Sequence, residues 1–142
     1  MTESRPGVLF VCVKNGGKSQ MAAGLMQKEL EDQGNPGAVR ISSAGTKAGE
    51  KINALSAEVL QDVGVDITDQ KPTQLTEAAM GDAGRVIVLG AEAEVPEVEG
   101  VAIERWETDE PSQRGIEGRE RMELVRDEIH ARVRELISSL TG

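Results

Sequence analysis

The chain has 142 residues, of which 38% are hydrophobic and 29% charged, and its formal net charge is -9 at pH 7. These values are typical of one soluble globular domain, and we expect a single domain over residues 1–142. The negative charge disfavours nonspecific binding to nucleic acid or anionic membranes. Phe10 and Trp106 are the only aromatic residues, so the stacking platforms that single-stranded nucleic-acid binders use are missing.

The cysteine content and the lack of long apolar segments restrict the class of protein further. Cys12 is the single cysteine, which excludes an internal disulfide and a cysteine-based metal cluster. No apolar run of about 18 residues is present, and the first residues, MTESRPG, contain no apolar stretch of signal-peptide type. We therefore expect a cytoplasmic protein with no bound metal or cofactor and no nucleic-acid or membrane partner.

Strand and helix patterns alternate along the chain. The apolar runs predict strands at 8–13, 39–43, 85–89 and 101–103, with a turn at 43–46. Helical spacing predicts helices at 19–31, 54–63, 73–80 and 122–140. The alternation indicates an α/β three-layer sandwich, with a central four-stranded parallel sheet and helices on both faces. The charge-rich stretch 117–135 predicts an exposed helix face, with His130 on its solvated side.

The segment 12-CVKNGGKS-19 follows the first predicted strand, at the sheet edge where α/β proteins bind ligands. Its end, 17-GKS-19, fits a nucleotide-binding loop, but that loop requires a glycine at the position that Cys12 occupies. A second interpretation is a buried structural cysteine, because free cysteine is among the most buried residue types. The third is a nucleophile in an anion-binding loop, which the two glycines and the Lys-Ser pair favour.

The physical argument for the nucleophile rests on the donors around Cys12. Gly16 and Gly17 permit backbone angles that turn several N–H groups inward, forming a concave anion site. The positive end of the following helix and the ammonium of Lys18 add to the field. Ser19 can donate a hydrogen bond to the sulfur. The same donors would stabilise a thiolate and bind a tetrahedral oxyanion.

The stretch CVKNGGKSQMA resembles the signature of the low-molecular-weight tyrosine phosphatase family and its arsenate reductase branch. That signature consists of a cysteine, five further residues, an arginine and a serine. The segments 43-SAGT-46, 55–75 and 85-RVIVLG-90 resemble further parts of that family. The stretch 106-WETDEP-111 resembles its acidic loop, where a carboxylate before proline donates a proton.

The resemblance implies a low-molecular-weight phosphatase-like fold and assigns roles to particular residues. Asn15 matches the asparagine that holds the loop open. Cys12, Lys18 and Ser19 are the implied catalytic residues of the loop, with Asp109 or Glu110 as proton donor. The implied oxyanion site consists of Lys14, Asn15, Gly16, Gly17, Lys18 and Ser19.

The chain departs from the family pattern at two places. Lys18 replaces the arginine, and an ammonium cannot reproduce the bidentate grip of a guanidinium on phosphate, which weakens the phosphatase interpretation. In the acidic loop, Glu110 fits the donor by position and Asp109 by residue type; the pair can equally be part of a turn before a helix.

The absence of a second cysteine implies that a resolving thiol comes from outside the chain. This resembles the actinobacterial arsenate reductases, which use mycothiol as co-substrate and mycoredoxin as partner. We therefore expect a thiol-dependent arsenate reductase. A phosphatase of phosphotyrosine or small phosphoesters and a non-catalytic binding module are the alternatives.

Overall fold

The computed structural model describes residues 6–107, 115 and 117–141, and the strands there form one parallel sheet. The strands are β1 (Gly7–Cys12), β2 (Arg40–Gly45), β3 (Arg85–Leu89) and β4 (Ala102–Trp106). The helices are α1 (Lys18–Asp32), α2 (Ala54–Gln61), α3 (Glu77–Ala83) and α4 (Gly118–Thr141). The strand order is β2-β1-β3-β4, and all neighbours are parallel.

Both faces of the sheet are covered by helices, as the sequence predicts. In β1, Val8, Phe10 and Cys12 point to one face, where they join the core formed with α1, α2 and α4. Leu9 and Val11 point to the other face, where they pack against residues of α3. Every residue of β1 is buried, because a central parallel strand with helices on both sides has no solvent face.

Several element boundaries differ from the sequence-based expectation, and three of the differences have a clear cause. β2 extends to Gly45, through most of the predicted 43–46 turn, because its last residues pair with the end of β1. β4 extends to Trp106, which pairs with Leu89. The third helix begins at Glu77 rather than at 73, because the side chain of Thr76 accepts a hydrogen bond from the Ala79 N–H and caps it.

The fold places the end of β1 at the carboxyl edge of the sheet. β1 ends at Cys12 and α1 begins at Lys18, so the intervening loop lies where ligands bind in open parallel sheets. Trp106 is buried beside Phe10, with ring centroids 5.8 Å apart, and supports the core. In the described part of the chain, no helix is long and apolar enough to cross a membrane.

Candidate active site

The loop after β1 turns at Asn15. This residue has a φ of 55° and is fully buried. The sequence-based expectation assigned the unusual backbone angles to Gly16 and Gly17, but neither glycine has a positive φ. The left-handed residue of the loop is therefore Asn15, and asparagine adopts this conformation more readily than most residues.

The Asn15 side chain is held by two donors on one side of the amide. Its Oδ1 accepts from the Thr73 backbone N–H at 2.8 Å and from Gln20 Nε2 at 3.1 Å. Because the Thr73 backbone N–H can only donate, it must face the Asn15 side-chain oxygen and not the NH₂ group. Nδ2 consequently faces Ser19 and donates to its Oγ at 2.7 Å.

The Cys12 sulfur lies at the end of this chain of hydrogen bonds. Ser19 Oγ is 2.9 Å from Cys12 Sγ, and the Asn15 backbone N–H donates to Sγ at 3.2 Å. Because Ser19 Oγ already accepts from Asn15, its single proton is available for the sulfur. An acceptor sulfur with two donors is the arrangement that suits a thiolate nucleophile.

Helix α1 presents its positive end beside this sulfur. The Met21 N–H closes the first turn onto the carbonyl of Gly17 at 2.9 Å. Gly17 is the N-cap, no side chain caps the helix, and its first turn has no acidic residue. First-turn N–H groups lack intrahelical acceptors, so this end can bind an anion.

Backbone hydrogen bonds hold the loop against the segment after β2. The N–H groups of Thr46, Lys47 and Gly49 donate to the carbonyls of Cys12, Val13 and Lys14, at 3.0, 2.8 and 2.9 Å respectively. The approach is close at Gly45, where an added Cβ would lie 2.6 Å from the Val13 carbonyl oxygen. This close approach requires glycine at position 45, because a side chain there would displace the loop.

A cavity of about 880 Å³ opens in front of Cys12. Its walls come from the Cys12 loop, residues 47–54, the first turn of α2 and the start of α4. Five cations line it: Lys14, Lys18, Lys47, Lys51 and Arg121. Glu50 is the one carboxylate among the described lining residues. The cavity is therefore locally cationic in a protein of net charge -9, and it suits an anion.

The side chain of Lys18 crosses towards the neighbouring strand. A Cβ built on Gly90, which follows β3, would lie 3.6 Å from Lys18 Nζ. Gly90 has a φ of 88°, so the chain turns away there and leaves room for the ammonium. Lys18 also lines the cavity with Cys12, as expected for a charge that contributes to anion binding.

The structure brings the predicted residues of the Cys12 loop together. Cys12, Lys14 and residues 16–18 line the cavity, while Asn15 and Ser19 are fully buried behind it. Asp109 and Glu110, the predicted proton donors, lie outside the described residues. No group of three His, Cys, Asp or Glu side chains that could hold a metal ion occurs in the described ranges.

Sequence reasoning missed two residues that position the loop. Gln20 is 3% exposed, and its Nε2 also lies 3.4 Å from the carbonyl of Lys71. A glutamine inside an apolar helix stripe was a signal that could have been noticed. Thr73 acts through its backbone N–H, which leaves no mark in the sequence.

His130 also differs from its prediction. It was expected to be solvated, but its Nε2 lies 2.9 Å from Glu29 Oε1, in the contact between α1 and α4.

Comparison with known proteins agrees with this geometry. Residues 7–142 match the family described as low molecular weight phosphotyrosine protein phosphatase. Arsenate reductase from Bacillus licheniformis is 30% identical over 139 residues, covering 92% of this chain and 94% of that protein. Arsenate reductase 1 from Bacillus cereus is 31% identical over 141 residues, covering 94% and 95%.

A solved structure of similar fold is that of the thioredoxin-dependent arsenate reductase from Corynebacterium glutamicum. It superimposes with a TM-score of 0.75 at 31% identity, over 96% of this chain. The chain spans 61% of the length of that protein.

Proposed function

Since this chain belongs to the low molecular weight phosphotyrosine protein phosphatase family, we propose that it is a thiol-dependent arsenate reductase that transfers arsenic to an external thiol. The observation that carries the proposal is the Cys12 sulfur, which accepts hydrogen bonds from Asn15 and Ser19 at the base of a cationic cavity. The relatives described as arsenate reductases support arsenate as the oxyanion.

The first step is binding and attack by Cys12. Arsenate enters the cavity, and the N–H groups at the start of α1 together with Lys18 hold its oxygens. The thiolate attacks arsenic, and one arsenate oxygen takes up protons and leaves as water. Asp109 or Glu110 is our proposed donor for that oxygen, on resemblance of the acidic loop.

The second step needs a thiol from outside, because these 142 residues contain no second cysteine. The external thiol forms a new sulfur–arsenic bond while the bond to Cys12 breaks, and its proton passes to solvent or to Cys12. A redoxin thiolate then attacks the sulfur of the released adduct. Two electrons pass to arsenic, which leaves as arsenite, and a mixed disulfide remains.

We further propose mycothiol as the external thiol and a mycoredoxin-like protein as the reductant, in the cytoplasm. The resemblance of the Gly-Gly-Lys-Ser loop and the lone cysteine support this choice. The Corynebacterium relative is described as thioredoxin-dependent, so thioredoxin is the natural competitor in the assay.

Turnover of arsenate with mycothiol, glutathione and thioredoxin, each with its own recycling system, tests the proposal. We expect arsenite release with mycothiol and mycoredoxin, and no release from Cys12→Ser, which keeps a hydrogen-bonding side chain but removes the nucleophilic sulfur. Circular dichroism of Cys12→Ser is the control, and we expect the spectrum of the unmodified protein. Undiminished turnover by Cys12→Ser would place the chemistry elsewhere.

The second candidate function is a phosphatase, which the family match favours. Lys18 counts against it, because a point charge holds a transferring phosphoryl group less well than a guanidinium does. Hydrolysis of an aryl phosphate without added thiol measures this activity directly. We expect it to be weak and to rise in Lys18→Arg. Strong hydrolysis by the unmodified protein would make phosphatase the better supported of the two functions.

A further inference from the structure

Arg121 differs from the other described arginines in having no hydrogen-bond or ion-pair partner among the described residues. Its Nε is buried and makes no hydrogen bond, and no ion pair with Arg121 occurs among the described residues. Buried donors in native proteins are almost always satisfied, and leaving one unpaired is costly. An unpaired buried guanidinium nitrogen therefore calls for a specific cause.

The other arginines on α4 show what the ordinary arrangement is. Arg126 donates to the Val59 carbonyl at 2.9 Å and contacts Asp127 at 2.8 Å. Arg134 contacts Glu29 at 3.0 Å. Arg119 contacts three carboxylates, those of Glu58, Asp62 and Glu123. Carboxylates are thus available along this helix, but none of those in the described residues pairs with Arg121.

Arg121 lines the cavity that contains Cys12. It reaches that cavity from α4, together with Met122 and Val125. The start of α2 lines the same cavity and approaches the loop, where a Cβ on Gly17 would be 3.5 Å from Ser56 Oγ. Residues of the Cys12 loop and of α4 therefore line one cavity, and a ligand in it can contact both.

A tetrahedral oxyanion bound at Cys12 presents oxygens in two directions. The oxygens nearest the sulfur meet the N–H groups of the loop and of α1. The remaining oxygens face the cavity, where a guanidinium can bind two of them at once. Lys18 supplies charge at the loop but lacks this planar pair of donors.

We propose that Arg121 is an oxyanion-binding residue of this site, contacting the oxygens that face the cavity and providing the bidentate grip that Lys18 lacks. The ligand is a tetrahedral oxyanion, arsenate or phosphate; its use as the substrate of a reductase rests on the function proposed above. The oxyanion contacts the part of the guanidinium that lines the cavity, and it supplies the charge partner that Arg121 lacks among the described residues.

Titration calorimetry with inorganic phosphate, which binds without being reduced, tests the proposal. We expect Arg121→Gln to raise the Kd for phosphate about tenfold or more, because a hydrogen-bonded charge pair is lost. Arg121→Lys keeps the charge but not the paired donors, and we expect a rise of several-fold. Arg134→Gln is the matched control: it removes the same charge from an exposed position on α4, and its Kd should stay within about twofold.

Thermal unfolding without phosphate separates binding from stability. Because Arg121 makes no hydrogen bond within the described residues, we expect Arg121→Gln to melt no lower than the unmodified protein. A Kd for Arg121→Gln within about twofold of the unmodified protein would overturn the proposal. So would unimpaired binding by Arg121→Lys, since the guanidinium would then have no specific part.

Arsenate kinetics keep this inference distinct from the proposed function. In an active enzyme, Arg121→Gln should raise KM for arsenate with the phosphate Kd, and Arg134→Gln should not. If no thiol supports turnover but Arg121→Gln still weakens phosphate binding, the proposed function fails and this inference stands. If the unmodified protein reduces arsenate but Arg121→Gln leaves the KM for arsenate and the Kd for phosphate unchanged, this inference alone fails.

Discussion

Two clusters of polar side chains in this molecule are built in opposite ways. Behind Cys12, the residues Asn15, Ser19 and Gln20 are 0%, 0% and 3% exposed. Between α1 and α4, Glu29 contacts His130 at 2.9 Å and Arg134 at 3.0 Å. These three side chains are 17%, 25% and 62% exposed.

The difference in burial determines what each cluster can do. In the first cluster the hydrogen bonds are sheltered from water. The Thr73 backbone N–H fixes the orientation of the Asn15 amide, and this sets the donor and acceptor of the hydrogen bonds that follow. Loss of one member leaves another buried and unsatisfied. In the second cluster water can replace a lost partner, so each contact is worth little. The buried cluster holds the Cys12 sulfur in place, whereas the half-buried one joins two helices.

Asn15→Ala should have the largest effect of the changes within these clusters. Alanine is disfavoured at a φ of 55°, and the Thr73 N–H loses its acceptor. We expect a loss of about 2–4 kcal/mol in the free energy of unfolding. Arsenate turnover should fall about a hundredfold, since Ser19 and Cys12 are no longer held in place. Denaturant titration and steady-state kinetics measure the two effects.

Asn15→Gly separates the two causes. Glycine accepts the backbone angle but lacks the amide, so it should recover part of the stability lost in Asn15→Ala without recovering turnover. Asn35→Ala, at an exposed asparagine, is the control and should change stability by less than about 0.5 kcal/mol. Wild-type turnover by Asn15→Gly would mean that the buried network does not position the sulfur.

Gly45→Ala tests the backbone that supports the buried cluster. An added Cβ would lie 2.6 Å from the Val13 carbonyl oxygen and 2.9 Å from the Asn15 nitrogen. Because both neighbours are backbone atoms, the loop must move. We expect the free energy of unfolding to fall by about 1–3 kcal/mol, with turnover reduced as the loop shifts. Thermal unfolding and arsenate kinetics provide the measurements.

Gly81→Ala is the matched control for that change. Gly81 lies inside α3, where an added Cβ meets nothing within 4 Å. Alanine should therefore stabilise the protein by up to about 1 kcal/mol, since it is the better helix former. Equal behaviour of the two variants would show that the close approach at Gly45 carries no constraint.

The order of strands and helices could be predicted from the sequence because periodicity records which faces are buried. β3 has the predicted bounds, Arg85–Leu89, since a short apolar run between polar residues leaves little choice. The end of β2 was misjudged, because Ser43, Ala44 and Gly45 are typical turn residues. They lie in a strand because β1 pairs with them, which is a tertiary effect that overrides local preference.

In the site, the residues of the Cys12 loop could be located from their spacing, but their partners could not. Gly16 and Gly17 suggested the backbone turn, yet Asn15 makes it. Arg121 lies in a stretch whose alternating charges indicate an exposed face. That pattern cannot show that one member of the stretch faces a cavity. Which face of α4 points towards Cys12 is set by long-range packing.

Glu29→Gln tests the half-buried cluster and should have the smallest effect. Hydrogen bonds from Arg134 and His130 hold the pKa of the Glu29 carboxyl below its ordinary value. The folded state therefore binds fewer protons than the unfolded state at acid pH. The stability that the ionised carboxylate contributes is present above about pH 4.5 and is lost as the pH falls through the folded-state pKa. We expect Glu29→Gln to lower the free energy of unfolding by about 1 kcal/mol at neutral pH.

Urea titrations of the wild-type protein and of Glu29→Gln at several acid pH values measure the difference between their free energies of unfolding. The gap between them should narrow as the pH falls below about 4.5, because the wild-type carboxylate then becomes protonated. It should also shrink at high salt, since Arg134 is well exposed. Glu31→Gln, at an exposed position of the same helix, should show no such convergence. A gap that stays constant with pH would mean that Glu29 acts through packing rather than charge, and the contrast between the two clusters would then rest on burial alone.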